Sequence, residues 1–188
     1  MRHLNLLFPS ATPSGCVFGQ SQVNCHHDFS QILVLPTAGV RFNHQIVQVA
    51  HWVPVQEMVA LNSDTFVPEG NTALDDAVGF TIDSLGAELA NTPEQERPGK
   101  VIVAILTDGE ENSSTRYTTS NVASMIRKQR ERYQWEFLYL GAGPNVLRES
   151  SARGIESHDA MSFEASPEGI RNAMTLMSGS VNQKKQRR

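Results

Sequence analysis

The stretch VIVAILTDGEEN, residues 101–112, decides the fold. Its first six residues are apolar without a break. A half-buried strand alternates apolar and polar side chains, whereas a strand covered on both faces need not. Val101 to Leu106 therefore reads as a buried strand of a parallel sheet, and the charged TDGEEN that follows reads as the loop at its carboxyl end. Phe137 to Leu140 (FLYL) has the same character, and Ala160 to Phe163 is a shorter candidate for an edge strand.

Amphipathic helices separate these strands, the pattern of an α/β fold with a mostly parallel central sheet and helices on both faces. From Thr72 to Ala90, apolar residues recur at Leu74, Ala77, Val78, Ile82, Leu85 and Leu89, with Thr81 on the same stripe. A second helix runs from about Ser120 to Arg132 and would bury Val122, Met125 and Ile126. Its Arg127, Lys128, Arg130 and Arg132 suit the negative end of the helix dipole. A third, Asn145 to Arg153, stops at Gly154. A fourth opens with Ser166 as N-cap and Pro167 at the first helical position, burying Ile170, Ala173, Met174 and Met177. Before Thr72 the pattern weakens to two strands, Ile32 to Leu35 and Val40 to Val49, turning at Pro36 to Gly39.

The chain has 188 residues, enough for one well-cored domain of the usual size of about 100 to 200. Charged residues at 19% and apolar residues at 39% exclude a disordered class. No apolar run approaches the roughly 18 residues of a membrane helix, and no export signal is readable, so a cytoplasmic location is expected. Residues 1–28 form an atypical segment without Glu or Lys, residues 29–179 the domain, and residues 180–188 a basic, solvated tail. Cys16, Cys25, His26 and His27 cluster in the first segment but lack the paired spacing of a zinc site. The tail, SVNQKKQRR, holds four cations, too few to make nucleic acid an expected partner.

In an open parallel sheet the loops after the strands gather at the carboxyl edge, where such folds bind ligands. Two segments should meet there: Asp64 to Val78, in which Thr72 stands at a helix start, and Leu106 to Asn112, in which Asp108 leaves the best strand. Each residue has an ordinary alternative. Thr72 with Asp75 fits a helix-capping box, and Asp108 before Gly109 fits a turn. Glu110 and Glu111 read as solvated loop acids. Gly141 to Asn145 (GAGPN) lacks the third glycine of a dinucleotide motif and reads as a strand-to-helix turn.

GNTAL before a helix, VIVAILTDGEEN about thirty residues later and then QWEFLYLGA together resemble the bacterial and phage branch of the von Willebrand factor A family, over about Gly39 to Met177. The resemblance implies a three-layer, Rossmann-like fold and a metal-ion-dependent adhesion site. In that site three loops hold Mg²⁺ or Mn²⁺, and Thr72 matches the second loop and Asp108 the third. It implies a binding module, not an enzyme. The metal would capture an exposed carboxylate of a protein partner, and related domains work beside ring-forming ATPases.

The first loop of that family, Asp-x-Ser-x-Ser at the end of the first strand, has no counterpart before Thr72. The nearest position is PSATPSG after Leu4 to Phe8, which offers Ser10 and Ser14 but no Asp. Residues 1 to about 38 thus read as a replaced or frame-shifted version of the first strand and helix, whose loss should leave the neighbouring strands exposed. Two other functions compete. One is a Mg²⁺-dependent phosphohydrolase using Asp108, although LTDGEEN lacks the second Asp and the positioned cation of such sites. The other is a degenerate copy without a working site.

Overall fold

A computed structural model describes residues 36–54 and 71–186. The chain is α/β. Strands β1 (Pro36–Phe42) and β2 (Ile46–Pro54) form an antiparallel hairpin; β3 (Ile102–Thr107), β4 (Glu136–Ala142) and β5 (Ala160–Phe163) form a parallel sheet in that order. Helices α1 (Leu74–Asn91), α2 (Thr119–Tyr133), α3 (Val146–Ala152) and α4 (Pro167–Gln186) fill the intervals. Each parallel step crosses over through a helix, as that pairing requires.

The continuous apolar run of β3 has the predicted cause. Val103 and Ile105 pack in one core with Leu74, Val78 and Ile82 of α1 and Val122 and Ile126 of α2. Ile102, Ala104 and Leu106 pack in a second core with Leu138, Leu140 and, from α4, Ala173 and Met177. Successive side chains of one strand thus serve two cores, and all six residues of β3 are buried. Val40 and Phe42 of the hairpin join the first core. The exposed apolar neighbours expected from a missing first strand are therefore not found in β1 or β3.

Two boundaries depart from the sequence reading. The hairpin turns at residues 43–45 instead of Pro36 to Gly39: Asn43 Oδ1 accepts the Gln45 N–H at 2.7 Å, an Asx turn, while Pro36 opens β1, a strand position proline tolerates. Ile32 to Leu35 lies outside the described residues. Ser166 does cap α4, accepting the Gly169 N–H at 3.0 Å, but that helix runs on to Gln186, through most of the stretch read as a solvated tail. Lys184, 5% exposed, is the reason. Its Nζ reaches Glu136 Oε2 at 2.6 Å and Asp159 Oδ1 at 2.7 Å. Lys100 bonds Glu136 Oε1 at 3.0 Å and the Lys184 carbonyl, closing the cluster at the amino edge of the sheet. Burial would push the Glu136 carboxyl up, but Lys184 and Lys100 together hold it below the usual range. No helix among the described residues is long and apolar enough to cross a membrane.

Candidate functional site

The carboxyl edge of β3 carries Asp108, and the start of α1 carries Thr72; the loop between β3 and α2 binds the two elements together. That loop begins with a tight return at Thr107, whose buried hydroxyl donates to the Gly109 carbonyl at 2.9 Å and accepts its N–H at 3.3 Å. Asp108, half-buried, lies inside this return. Four residues on, Asn112 and Thr72 bond in both directions: the Thr72 N–H donates to Asn112 Oδ1 at 2.8 Å, and the Asn112 N–H donates to the Thr72 carbonyl at 3.0 Å.

The first turn of a helix leaves N–H groups without intrahelical partners. In α1 the same loop supplies acceptors. Glu111 Oε2 accepts from Asp75 N–H at 2.8 Å and Ser114 Oγ accepts from Asp76 N–H at 2.9 Å, while the Asn43 carbonyl accepts from Ala73 N–H at 2.7 Å. Glu111 Oε1 also takes the N–H groups of Ser113 and Ser114 at 2.9 and 2.8 Å. Glu111 is therefore the clamp between loop and helix, which corrects its reading as a solvated acid; Glu110 is exposed and accepts from Asn145 Nδ2 at 2.7 Å.

Asp76 returns the clamp from the helix side. Its carboxylate accepts the N–H groups of Thr115, Arg116 and Tyr117 at 2.8 to 2.9 Å. Burial alone would raise its pKa, but these backbone donors and the Thr115 hydroxyl outweigh burial and hold the carboxyl below the usual carboxylate range. Asp75 serves the interior: Arg153 Nε lies 2.7 Å from Oδ1, and the Thr119 hydroxyl donates to Oδ2 at 2.6 Å. Arg153 also donates to the Glu149 carbonyl, and the Glu149 carboxylate accepts from Tyr139 O–H at 2.8 Å. Burial and that carboxylate push the Tyr139 phenol far up, so it stays protonated.

Against this accounting Thr72 is an exception. Its residue is 1% exposed and its hydroxyl has no partner. Ala73, not Thr72, occupies the N-cap position, without a side-chain cap, so the capping-box alternative is corrected. A buried hydroxyl without a hydrogen bond costs about 1 to 3 kcal/mol. A cation that takes this oxygen would relieve that cost, so the donor chemistry of Thr72 with Asp108 fits a hard divalent ion, which prefers oxygen ligands. Among the described residues no group of three or more His, Cys, Asp or Glu is placed to hold a metal; the candidate set is one hydroxyl and one carboxylate. Ser10, Ser14, Cys16, Cys25, His26 and His27 lie outside the described residues. Of GAGPN, read as a strand-to-helix turn, Gly141 and Ala142 end β4 and only Gly143 to Asn145 make the turn into α3, with Gly143 at φ 97° and Gly141 packed under Val146.

Sequence reasoning placed Thr72 and Asp108 but missed Glu111, Asn112, Ser114, Asp76 and Arg153. The run Asn112-Ser113-Ser114-Thr115, four cap-forming side chains in a row, was the available signal that this loop caps something. No family model, curated protein or solved structure matches the chain.

Proposed function

We propose that the chain is a non-enzymatic protein-interaction module of the von Willebrand factor A type, with its three-layer, Rossmann-like architecture. It binds an exposed carboxylate of a protein partner, an associated ring ATPase being the partner class that the resemblance implies, through an incomplete metal-ion-dependent adhesion site. Thr72 and Asp108 would hold Mg²⁺ or Mn²⁺, and the bound ion would supply the positive charge that attracts the partner's carboxylate. One observation carries the reading: the buried Thr72 hydroxyl lacks a hydrogen bond, while the backbone on either side of it is fixed to the loop that bears Asp108. A binding role is favoured over hydrolysis because three other acids of the α1 start and the β3–α2 loop already serve the fold. Asp75, Asp76 and Glu111 hold N–H groups, hydroxyls and a buried guanidinium.

Titration of the full chain with Mn²⁺ and Mg²⁺, followed by calorimetry and thermal unfolding, tests this, because a ligand specific for the folded state raises its stability. Stabilisation that Asp108→Ala removes is the expected result. A wild-type protein indifferent to millimolar metal would refute the site and favour the degenerate-copy reading.

A further inference from the structure

Two buried side-chain oxygens among the described residues lack any hydrogen-bond partner, Thr72 Oγ1 and Ser113 Oγ. They belong to one junction. Asn112, bonded in both directions to Thr72, is the residue before Ser113. Glu111 binds the Ser113 N–H through one carboxylate oxygen and the Asp75 N–H through the other, which fixes the Ser113 backbone against the first turn of α1. A loop serine ordinarily rotates its hydroxyl to a nearby acceptor. Ser114 does so, donating to Glu111 Oε2 at 2.7 Å and accepting from Asp76 N–H. Ser113, one residue away in the same clamp, does not.

We infer that Ser113 is a second hydroxyl ligand of the divalent-cation site, acting with Thr72 and Asp108. The inference rests on the cation reading proposed above and extends it to a loop residue that the family's three-loop pattern does not assign. A hard cation accepts neutral hydroxyl oxygens as ligands, and a set of two such hydroxyls and one carboxylate would leave the ion's charge largely unneutralised. Such a site binds metal weakly alone and gains most from a partner's carboxylate. Ser113 thereby offsets part of what the absent Asp-x-Ser-x-Ser serines would contribute.

The test uses the full chain, Mn²⁺ alone as probe, and melting curves in chelator. Ser113→Ala removes an unpartnered hydroxyl, so its metal-free melting temperature should stay level or rise while the Mn²⁺ Kd rises about tenfold. Ser114→Ala is the control with the opposite signature: its metal-free stability should fall and its Kd stay within about twofold of wild type, since its hydroxyl is spent on the clamp. Unchanged Mn²⁺ affinity in Ser113→Ala, with binding still abolished by Asp108→Asn, overturns the role of Ser113 and leaves the cation site standing. Absence of Mn²⁺ uptake by the wild type overturns both.

Discussion

The ring of Tyr117 occupies the space that a side chain at Gly79 would need: a β-carbon there would stand 2.5 Å from Tyr117 Cγ. The tyrosine lies along one face of α1, its N–H on Asp76 Oδ1 at 2.8 Å and its hydroxyl on Asp83 Oδ2 at 2.6 Å. Asp76, Gly79 and Asp83 follow the i, i+3, i+7 spacing of a helix face, so one aromatic residue fastens the end of the β3–α2 loop along two turns of α1. That hydrogen bond to Asp83, with burial and the Asp83 charge, raises the phenol pKa.

Gly79→Ala should therefore destabilise the protein, although alanine is the better helix former by about 1 kcal/mol. Overpacking against the Tyr117 ring should cost about 1 to 3 kcal/mol, and the net loss should appear in urea unfolding. Adding Tyr117→Ala to Gly79→Ala should remove the clash and reverse the sign of the Gly79 effect. A glycine substitution that stabilises in the presence of Tyr117 would show that the ring is free to leave.

The Asp75–Arg153 pair is buried at both ends, 2% and 3% exposed in the side chains, and joins the first turn of α1 to the end of α3. Arg153→Met should cost about 3 to 5 kcal/mol by leaving a buried carboxylate without its counter-charge. Asp75→Asn combined with Arg153→Met should recover much of that loss. A double-mutant cycle by chemical denaturation measures the coupling, and additive single effects would contradict it.

The sequence made legible whatever was encoded within one element. The unbroken apolar run of β3, the stripe of α1 and the Ser166–Pro167 start of α4 depend only on neighbours, and each is found where expected. Thr72 and Asp108 were legible because each marks the end of an element. Glu111, Asp76 and Arg153 were not, since their partners lie 36, 41 and 78 residues away, and no local pattern distinguishes a clamp from a solvated acid. Lys184 failed in the same way: a basic end reads as solvated until Glu136, 48 residues earlier, is brought beneath it. At Pro36 to Gly39 two strong turn residues outweighed the quieter Asx signal of Asn43.

Lys184→Met should therefore cost about 3 kcal/mol, a large effect for a residue four positions from the end of the sequence, because it leaves Asp159 buried with its principal counter-charge gone. Hydrogen exchange along α4 should quicken in the variant while the first turn of α1 keeps its protection. A solvated tail would predict a change within about 0.5 kcal/mol.

Stability toward acid should depend on Asp76. Its folded pKa is lowered, so its contribution is complete above the unfolded carboxylate value and disappears as pH falls through the folded value. Wild type should lose stability between about pH 5 and about pH 2, and Asp76→Asn should lose less over that interval while being about 2 kcal/mol less stable at neutral pH. Parallel acid curves for the two proteins would remove Asp76 as a cause; Glu136, also lowered, remains in both and sets the common part.

Adjacent acids in the same loop should behave differently. Glu110 is exposed and meets Asn145, so Glu110→Gln should change stability by no more than about 0.5 kcal/mol. Glu111 accepts three backbone N–H groups and the Ser114 hydroxyl. An amide in its place must turn an NH₂ group toward one of those donors, so Glu111→Gln should cost about 2 kcal/mol even though its shape is preserved. The loss should be local before it is global. Amide exchange at Asp75, Ser113 and Ser114, whose hydrogens Glu111 holds, should rise first, while exchange within β3 changes only as much as global unfolding requires. Equal effects of the two glutamine substitutions would mean that loop and helix are held together by the Asp76 side of the clamp alone.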